Sequence, residues 1–535
     1  MKVSHTIKLF VSGSNCWNRF LLTQISGFLS WMAFPNIGAH STLAWICFSF
    51  WFLALRRAGW KERIVHGLMF GGWYCLPEKW GVFGKIIFDL FVHWHYSALF
   101  FVLFFSCFFF PFVVFSFASP HRRDNGILTT FYSAAWLTVL IAWTPAVFPI
   151  NPALMIHDQP IAIQTADLGG VYAVVFLTLF VNFLSAEILY FVWQDRRQFL
   201  KYTLCLLLTV SFVAGYGMYR IREQKNLELV VDGHYANIAV LETRFLPNEP
   251  LASLLRQNPK GGYSAAEMTE LAAKRFPQAT VIVWPELPIQ VTRKNESKLH
   301  EKVSSLASRL QKSILYSSME EIHDATPAIE YCAARLILPD GTEAMRYRKT
   351  ALIPFFESSP HPLLTGRKED HYQAGNEEKV LPIDNRTLYI PALCYDLHSQ
   401  KHLRSGIRLG GNVIVHMSSF YSFNKTSIPY VDYAMSKFCA VEYRIPLARS
   451  TNRGYGAFIR TTGEPVTGSE TTPADRAIKS FPLFIPEKRS LYAKIGDLFL
   501  YCLTFVVVWD AARAIRVKLK GKHSTNAIVD CDKTS

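Results

Sequence analysis

The sequence lacks the cysteine and histidine spacings that commonly bind metal ions, since neither a CxxC nor an HExxH pattern occurs in it. It also has little charge: Asp, Glu, Lys and Arg make up 18% of the 535 residues. The missing spacings argue against the common zinc sites, and we expect neither a metal nor a cofactor. The low charge accompanies an apolar content that is unusual for a soluble protein of this length.

Apolar residues are abundant and unevenly distributed. They form 50% of the chain, which contains 41 Phe. Before about residue 222 most of the sequence consists of long apolar stretches, whereas residues 226–490 have the composition of a soluble domain. About 20 apolar residues are needed to cross a bilayer as a helix. We therefore predict membrane spans at 18–34, 41–55, 64–83, 86–119, 126–150, 167–193, 200–219 and 494–512.

Lys and Arg alternate between the loops that join these spans. Basic clusters lie at 56–63, 121–123, 195–201 and 513–522. The intervening loops at 35–40 and 151–166 contain no Lys or Arg. This positive-inside pattern predicts that the basic clusters lie in the cytoplasm. The spans would then lie in the inner membrane of a bacterium, and residues 226–490 in the periplasm. The net charge of +15 thus reflects membrane topology, and we expect no nucleic-acid partner.

The predicted organisation is a multi-pass α-helical membrane domain (1–222, about seven spans), an extracytoplasmic α/β domain (226–490), a last span (494–512) and a basic, polar cytoplasmic tail (513–535). Strand and helix patterns alternate within the α/β domain. Strands are predicted at 236–242, 279–284, 314–318, 329–338, 386–394 and 411–417, and helices at 264–276, 297–313 and 429–445. Such alternation favours a sandwich whose sheets are covered by helices.

Three polar side chains lie at the ends of predicted strands or in a strand-like context. Ligands gather beyond strand ends in α/β folds. They are Glu286 in "VIVWPELP", Lys349 in "MRYRKTALIPFFE" and Cys394 in "YIPALCYDLHS". Each has an ordinary alternative explanation: a loop acid, a surface lysine, and a buried or disulfide-bonded cysteine. The candidate domain holds three cysteines, so at least one thiol is free unless pairing is intermolecular.

Together the three residues supply the parts of a nucleophilic site. Lys349 would lower the pKa of Cys394 and keep the thiol largely ionised. Glu286 would take the thiol proton as a general base. The backbone amide of Tyr395 and the Lys349 ammonium would stabilise a developing oxyanion. We therefore predict Cys394 as the nucleophile.

The order Glu, Lys, Cys in the contexts "WPE", "YRK" and "CYD" resembles the nitrilase, or carbon–nitrogen hydrolase, superfamily over about residues 236–465. A domain set between seven spans and a last one is similar to the apolipoprotein N-acyltransferase branch. The resemblance implies a four-layer αββα sandwich and a thioester acyl-enzyme. It also implies a phospholipid acyl donor, a lipoprotein amine as acceptor, and an additional active-site glutamate at Glu357.

The sequence departs from that branch in two places. Asp396 stands where the branch usually has Glu, and the loop "MSSFYSF" (417–423) lacks the family's Asp, Trp and Gly. The loop lies near the acceptor in the family, so the acceptor stays open. The chain also resembles a plasmid conjugal-transfer family of membrane homologues.

The sequence is therefore compatible with three functions. The first is a membrane acyltransferase that uses a phospholipid donor and a protein or peptide amine as acceptor. The others are a non-catalytic component of a conjugation or secretion assembly, and a membrane-tethered amidase with water as acceptor. The complete triad argues against a decayed site, and a lipid substrate would explain the number of spans.

Overall fold

The computed structural model describes most of the chain. The described residues are 10, 13, 15–35, 40–74, 109–118, 126–146, 148–229, 233–245, 264–286, 296–322, 329–354, 357, 373–423 and 426–531. Most of the predicted span at 86–119 and all of the basic cluster at 121–123 lie outside these residues.

The described residues of the N-terminal part are mainly helical. Its helices are α1 (Cys16–Ala33), α2 (Ser49–Arg56), α3 (60–74), α4 (Phe109–Ala118), α5 (Ile127–Trp143), α6 (Val171–Phe191) and α7 (Arg196–Glu228). Two short helices, Pro160–Ile163 and Ala166–Gly169, precede α6. A further long helix, α12 (Leu498–Cys531), ends the described chain.

Three of these helices are long and apolar enough to cross a membrane: α6, α7 and residues 498–516 of α12. α6 is largely buried among the other helices, whereas α7 exposes a row of leucines. Leu204, Leu207 and Leu208 are each more than half exposed. Exposed leucines on a long apolar helix are suited to contact lipid. The helical, apolar character predicted for this region is confirmed, and the number of spans stays a prediction.

Two mixed sheets form the α/β domain. The strands are β1 (Tyr235–Glu242), β2 (Val281–Val283), β3 (Ser313–Ile322), β4 (Ile329–Ile337), β5 (Glu343–Arg348), β6 (Leu381–Pro382), β7 (Leu388–Leu393), β8 (Val413–Ser419), β9 (Leu447–Asn452), β10 (Ala457–Ile459) and β11 (Ala477–Phe484). One sheet has the order β11-β1-β2-β3-β4-β5 and the other β10-β9-β8-β7-β6. β1, β2 and β3 are parallel neighbours, as are β7, β8 and β9.

The sheets pack face to face, and helices cover their outer faces. Val283 and Leu315 of one sheet share a core with Val415 and Ala448 of the other. The first sheet is covered by α8 (Ala265–Arg275) and α9 (Glu296–Leu310), and the second by α10 (Gln400–Arg408) and α11 (Ile428–Tyr443). The α/β sandwich predicted from the sequence is therefore confirmed.

α11 also joins the sandwich to the N-terminal helices. Its Met435 and Phe438 belong to the apolar core of that helical part. At its C-terminal end, the buried guanidinium of Arg444 contacts Asp167 at 3.0 Å and Gln164 at 2.7 Å, both in the segment before α6. An apolar contact and a buried ion pair thus fix the sandwich to the helices.

The structure adds a helix beyond the predicted last span. α12 continues through the residues predicted as a polar tail and ends at Cys531. The apolar run sets only the length of a membrane span, whereas a helix continues as long as the residues favour it. Ala, Arg and Lys, which dominate positions 511–520, are good helix formers.

Candidate active site

The three predicted residues each follow a strand directly or closely. Glu286 comes after β2, separated from it by Trp284 and Pro285, and Lys349 comes directly after β5. Cys394 opens a 3₁₀ turn, Cys394–His398, directly after β7. Because β2 and β5 belong to one sheet and β7 to the other, the site lies at the edge where the two sheets meet.

Lys349 is fully buried between two carboxylates. Its Nζ lies 3.0 Å from Oε1 of Glu286 and 2.7 Å from Oε1 of Glu357. The other oxygen of Glu357 accepts a hydrogen bond of 2.8 Å from the backbone N–H of Ile353. Although burial lowers the pKa of Lys349, the two carboxylates raise it well above its usual range. The side chain is therefore a fixed ammonium group and not a surface lysine.

Glu286 is held from three sides. Besides Lys349, the Ser419 backbone N–H lies 3.3 Å from its Oε2, and the Cys332 thiol lies 3.9 Å from its Oε1. Burial raises the pKa of Glu286 above its ordinary value, and Lys349 and Cys394 lower it in part. A carboxylate with a raised pKa is a better base than a solvated one.

The thiol of Cys394 is less readily ionised than the sequence led us to expect. Burial raises the pKa of the Cys394 thiol well above its ordinary value; Glu286 raises it further, and Lys349 lowers it only in part. The expectation of a largely ionised thiolate was therefore wrong. The ammonium of Lys349 already faces two carboxylates, so its attraction for a third negative charge does not offset desolvation. The resting thiol is protonated and needs a base.

The backbone of Cys394 has an unusual conformation. Its φ of 47° lies in the left-handed region, which residues other than Gly seldom adopt. His416 of β8 fixes this turn, because its Nε2 lies 3.1 Å from the Cys394 carbonyl oxygen. Arg449 donates to Nδ1 of His416 at 3.0 Å, so the proton of a neutral ring is on Nε2, facing Cys394. Burial lowers the pKa of His416 to about 3, which keeps the ring neutral.

Asp432 also helps to hold the turn that begins at Cys394. Its carboxylate accepts hydrogen bonds from Arg449 at 2.7 Å and contacts Nε2 of His398 at 3.0 Å. Although Asp432 is buried, the charge of Arg449 holds its pKa well below its usual range. His398 ends the turn that Cys394 begins, so both ends of the turn are tied to one buried network.

Asp396 performs a backbone role on the other side of the site. It accepts hydrogen bonds from the backbone N–H groups of Ala351 at 2.8 Å and Leu393 at 3.1 Å, and from the hydroxyl of Tyr347 at 2.9 Å. Asp396 thus joins the strand end before Cys394 to the segment after Lys349. The shorter side chain found at this position is long enough for these contacts.

Two family models match this chain. Residues 257–474 match the carbon-nitrogen hydrolase family model, and residues 26–184 match the model of the apolipoprotein N-acyltransferase N-terminal domain. The chain carries both domains. As the sequence motifs predicted, the α/β part matches the carbon-nitrogen hydrolase model, and the curated relatives of the chain are enzymes.

The relatives extend over nearly the whole chain. An apolipoprotein N-acyltransferase of Borreliella burgdorferi is 25% identical over 95% of this chain and 98% of its own. Apolipoprotein N-acyltransferase 1 of Treponema denticola is 23% identical over 90% of this chain and 92% of its own. The solved amidase of Nesterenkonia sp. covers 51% of this chain and 97% of its own, at 17% identity and a TM-score of 0.39. The two curated relatives therefore match the helices as well as the sandwich.

Within this carbon–nitrogen hydrolase domain, the predicted residues fall into two groups. Glu286 and Glu357 both contact Lys349, beside Cys394. Asp396 is adjacent but faces the backbone. The ring of Tyr395 packs edge-on against Phe148, from the loop after α5, with 5.9 Å between ring centroids. The role predicted for the Tyr395 amide stays a prediction.

Sequence reasoning missed the groups that support the site. Cys332 lies beside Glu286, and His416 and Arg449 hold the turn of Cys394. A signal was present for the last two, because "VIVHM" and "PLARSTN" each place one basic residue inside an otherwise apolar or small-residue strand. A basic residue in a buried strand needs a polar partner, and that requirement indicates a network.

Proposed function

We propose that this chain is a membrane acyltransferase that forms a thioester on Cys394 and transfers a phospholipid acyl chain to the amine of a lipoprotein. The observation that carries the proposal is the buried contact of Lys349 with Glu286, 3.0 Å long, beside the Cys394 thiol. The names of the curated relatives support an apolipoprotein amine as acceptor. Nothing observed favours a role in conjugal transfer, which stays a prediction from the sequence resemblance.

The first half-reaction loads the enzyme. The Cys394 sulfur attacks the ester carbonyl carbon of the phospholipid while Glu286 takes the thiol proton. The negative charge that develops on the carbonyl oxygen is stabilised by the Lys349 ammonium. The carbon–oxygen ester bond then breaks, the lysophospholipid oxygen takes the proton from Glu286, and a thioester remains on Cys394.

The second half-reaction transfers the acyl group. The neutral amine of the acceptor attacks the thioester carbon, and Glu286 accepts a proton from the attacking nitrogen. The carbon–sulfur bond breaks, an amide forms, and the proton returns to the sulfur of Cys394. Glu357 holds Lys349 in place through both steps and is a positioning residue.

The proposed location in the cell rests on the charges of the loops and on the apolar helices. We place residues 1–222 and 494–512 in the inner membrane, the catalytic domain (226–490) in the periplasm and residues 513–535 in the cytoplasm. The exposed apolar faces of α7 and α12 support the membrane assignment. Phe148, in the segment that joins α5 to α6, contacts Tyr395, so we place the proposed nucleophile near the membrane surface.

The test uses the purified full chain in detergent with a phospholipid that carries an alkyne on its acyl chain. Incubation should leave an alkyne label on Cys394 that hydroxylamine removes, and Cys394→Ala should remain unlabelled. Addition of a diacylated lipopeptide with a free N-terminal amine should move the label to the peptide. The same lipopeptide with an acetylated amine is the control and should leave the label on the enzyme.

Two results would favour the alternatives. Rapid loss of the label to water without any acceptor, with no transfer to the peptide, would indicate a membrane-tethered hydrolase. A folded protein whose Cys394 is never labelled, and does not react with iodoacetamide, would indicate a non-catalytic component.

A further inference from the structure

His402 is a buried histidine of α10 that has no role in the two half-reactions. Its side chain is fully enclosed by the protein. Nε2 of the ring lies 2.7 Å from the carbonyl oxygen of Pro391, and Nδ1 lies 2.5 Å from Oε2 of Glu378. A carbonyl and a carboxylate are acceptors, so a ring that satisfies both contacts carries a proton on each nitrogen. Such a ring is positively charged.

The groups around the ring favour this charge. Tyr347 packs against it, with 5.1 Å between ring centroids, and the Tyr347 hydroxyl lies 3.2 Å from Nδ1 and donates to Asp396 at 2.9 Å. Glu378, Tyr347 and Asp396 are the titratable groups that face the ring, and no Lys or Arg contacts it in the described part of the chain. Although burial lowers the pKa of His402, Asp396 and Glu378 raise it above its ordinary value.

The contact with Pro391 supports the strand that leads to Cys394. On one side of β7 the neighbouring strand is β6, which pairs only with Leu388 and Tyr389. Pro391 lies past this pairing and three residues before Cys394. A buried carbonyl group needs a donor, and the ring of His402 supplies one to Pro391. The position of the strand end therefore depends on a side chain as well as on the sheet.

The contact with Glu378 leads to the other side of the site. Three residues before Glu378, the backbone N–H of Gly375 donates to the carbonyl oxygen of Lys349 at 2.7 Å. Only glycine fits there, because a Cβ would lie 2.5 Å from the carbonyl oxygen of Arg348. The segment that carries Glu378 is thus packed on the backbone at Lys349. His402 joins this segment to the end of β7.

Asp396 also depends on the charge of His402. Its carboxylate is fully buried and accepts hydrogen bonds only from backbone N–H groups and hydroxyls among the described residues. A buried carboxylate without an opposite charge is costly. His402 supplies that charge from behind the Tyr347 hydroxyl, which contacts both side chains. The histidine therefore stabilises the carboxylate that joins β7 to the segment after Lys349.

We propose that His402 is a positioning residue for the reaction at Cys394, and that its imidazolium holds the end of β7 against the segment beside Lys349. Loss of the ring proton breaks the contact with Glu378 and leaves Asp396 without a countercharge, so the thiol loses its fixed place beside Glu286. The effect on acylation rests on the proposed function, whereas the geometry of the thiol does not.

The experiment measures the initial rate of hydroxylamine-labile labelling of Cys394 by the alkyne phospholipid, in the full chain in detergent, across neutral and alkaline pH. The rate of the parent should fall at alkaline pH as His402 loses its proton. Lys349 does not cause this fall, since its two carboxylates raise its pKa well above the usual range. At neutral pH, His402→Leu should lower the rate about tenfold or more with little change in the apparent KM.

Three further variants make the test specific. Glu378→Gln keeps an acceptor for Nδ1 but removes a charge that raises the pKa of His402, so its alkaline fall should begin at a lower pH. His402→Gln keeps a donor for Pro391 and has no proton to lose. It should recover part of the neutral rate and lack the alkaline fall. Lys401→Gln, at the exposed neighbouring position, should keep the rate and the profile of the parent.

Alkylation of Cys394 by iodoacetamide separates this role from acyl transfer, because it needs no lipid. His402→Leu should be alkylated severalfold more slowly than the parent at neutral pH. If phospholipid labels no protein but alkylation keeps this order, the proposed function fails and the positioning role stands. If the parent is acylated and the variants share its rates and its pH profile, the positioning role is overturned. Should His402→Leu fail to fold, Glu378→Gln decides, since an alkaline fall at the parent's pH in that variant would also overturn it.

Discussion

Nε2 of His416 lies 3.1 Å from the carbonyl oxygen of Cys394, so a histidine on β8 holds the backbone of the residue that we propose as nucleophile. The contact accounts for a left-handed φ at a residue that is not Gly. Arg449 and Asp432 in turn fix the orientation of the histidine. The geometry of the thiol therefore depends on three residues that do not contact the substrate in our mechanism.

His416→Leu should slow acylation of Cys394 about 10²-fold, because small displacements of a reacting atom reduce the rate by that order. The apparent KM for phospholipid should change little, since the histidine faces the backbone. His416→Gln retains an N–H donor and should recover part of the rate. The measurement is the rate of hydroxylamine-labile labelling. A Leu variant as fast as the parent would show that the contact is incidental.

Lys349→Arg should give a folded protein without acyltransferase activity. The ammonium fits between Glu286 and Glu357 at 3.0 and 2.7 Å in a fully buried site, and a planar guanidinium is larger and spreads its charge. Folding is checked by the melting temperature and activity by acyl transfer to the lipopeptide. As a matched control, Lys302→Arg on the exposed face of α9 should retain full activity. Activity of Lys349→Arg within a few-fold of the parent would contradict the proposed role.

Glu286→Gln should slow acylation by about 10²–10⁴, since the amide cannot accept the thiol proton. The pH profile provides a second check. Burial raises the pKa of Glu286, and only its ionised form is a base, so the parent's rate should rise with pH through that raised pKa. The variant should lack this acidic limb. An unchanged limb in Glu286→Gln would mean that another group takes the proton.

Glu242→Gln should reduce the pH dependence of stability. Burial raises the pKa of Glu242, at the end of β1, to about 8, against about 4.3 in an unfolded chain. Between these values the folded state keeps a proton that the unfolded state has lost. The stabilisation is therefore complete below about pH 4 and is lost as the pH rises through about 8.

The check is the melting temperature of the parent and of Glu242→Gln from pH 5 to pH 8. The parent should lose more stability over this range than the variant does. Glu442 has the same direction of shift, so a smaller slope should remain in the variant. Equal slopes in the two proteins would show that Glu242 does not titrate in this way.

The proposed topology predicts opposite labelling of two engineered thiols. Lys302→Cys, on the exposed face of α9, should react with a membrane-impermeant maleimide in intact spheroplasts. Arg197→Cys, in the basic cluster at the start of α7, should react only after lysis. The reverse result would invert the orientation of the chain in the membrane.

The site was predictable to the extent that its residues lie at strand ends. Glu286 and Cys394 each follow an apolar strand, and Lys349 follows a segment with a strand-like pattern, which was enough to expect them together. The protonation of Cys394 was not predictable, because it depends on how fully the two sheets exclude water. The role of His416 was not predictable either, since it depends on which strand lies beside β7.

In the fold, too, local features were predictable and features that depend on tertiary packing were not. Helices such as α8 were placed within one or two residues, since Ser264 and Glu267 form a capping box that is legible in the sequence. The buried pair of Arg444 and Asp167 could not be foreseen, because the two residues lie 277 positions apart in the chain and only tertiary packing brings them together.

Of the sixteen residues of α11, fifteen are buried. One face serves the sandwich and the other serves the helices beside it, so this helix has no side suited to water. A catalytic domain produced without its flanking helices would therefore expose an apolar strip and should aggregate. The two parts cannot be exchanged or separated freely, and any engineered version of this protein has to retain both.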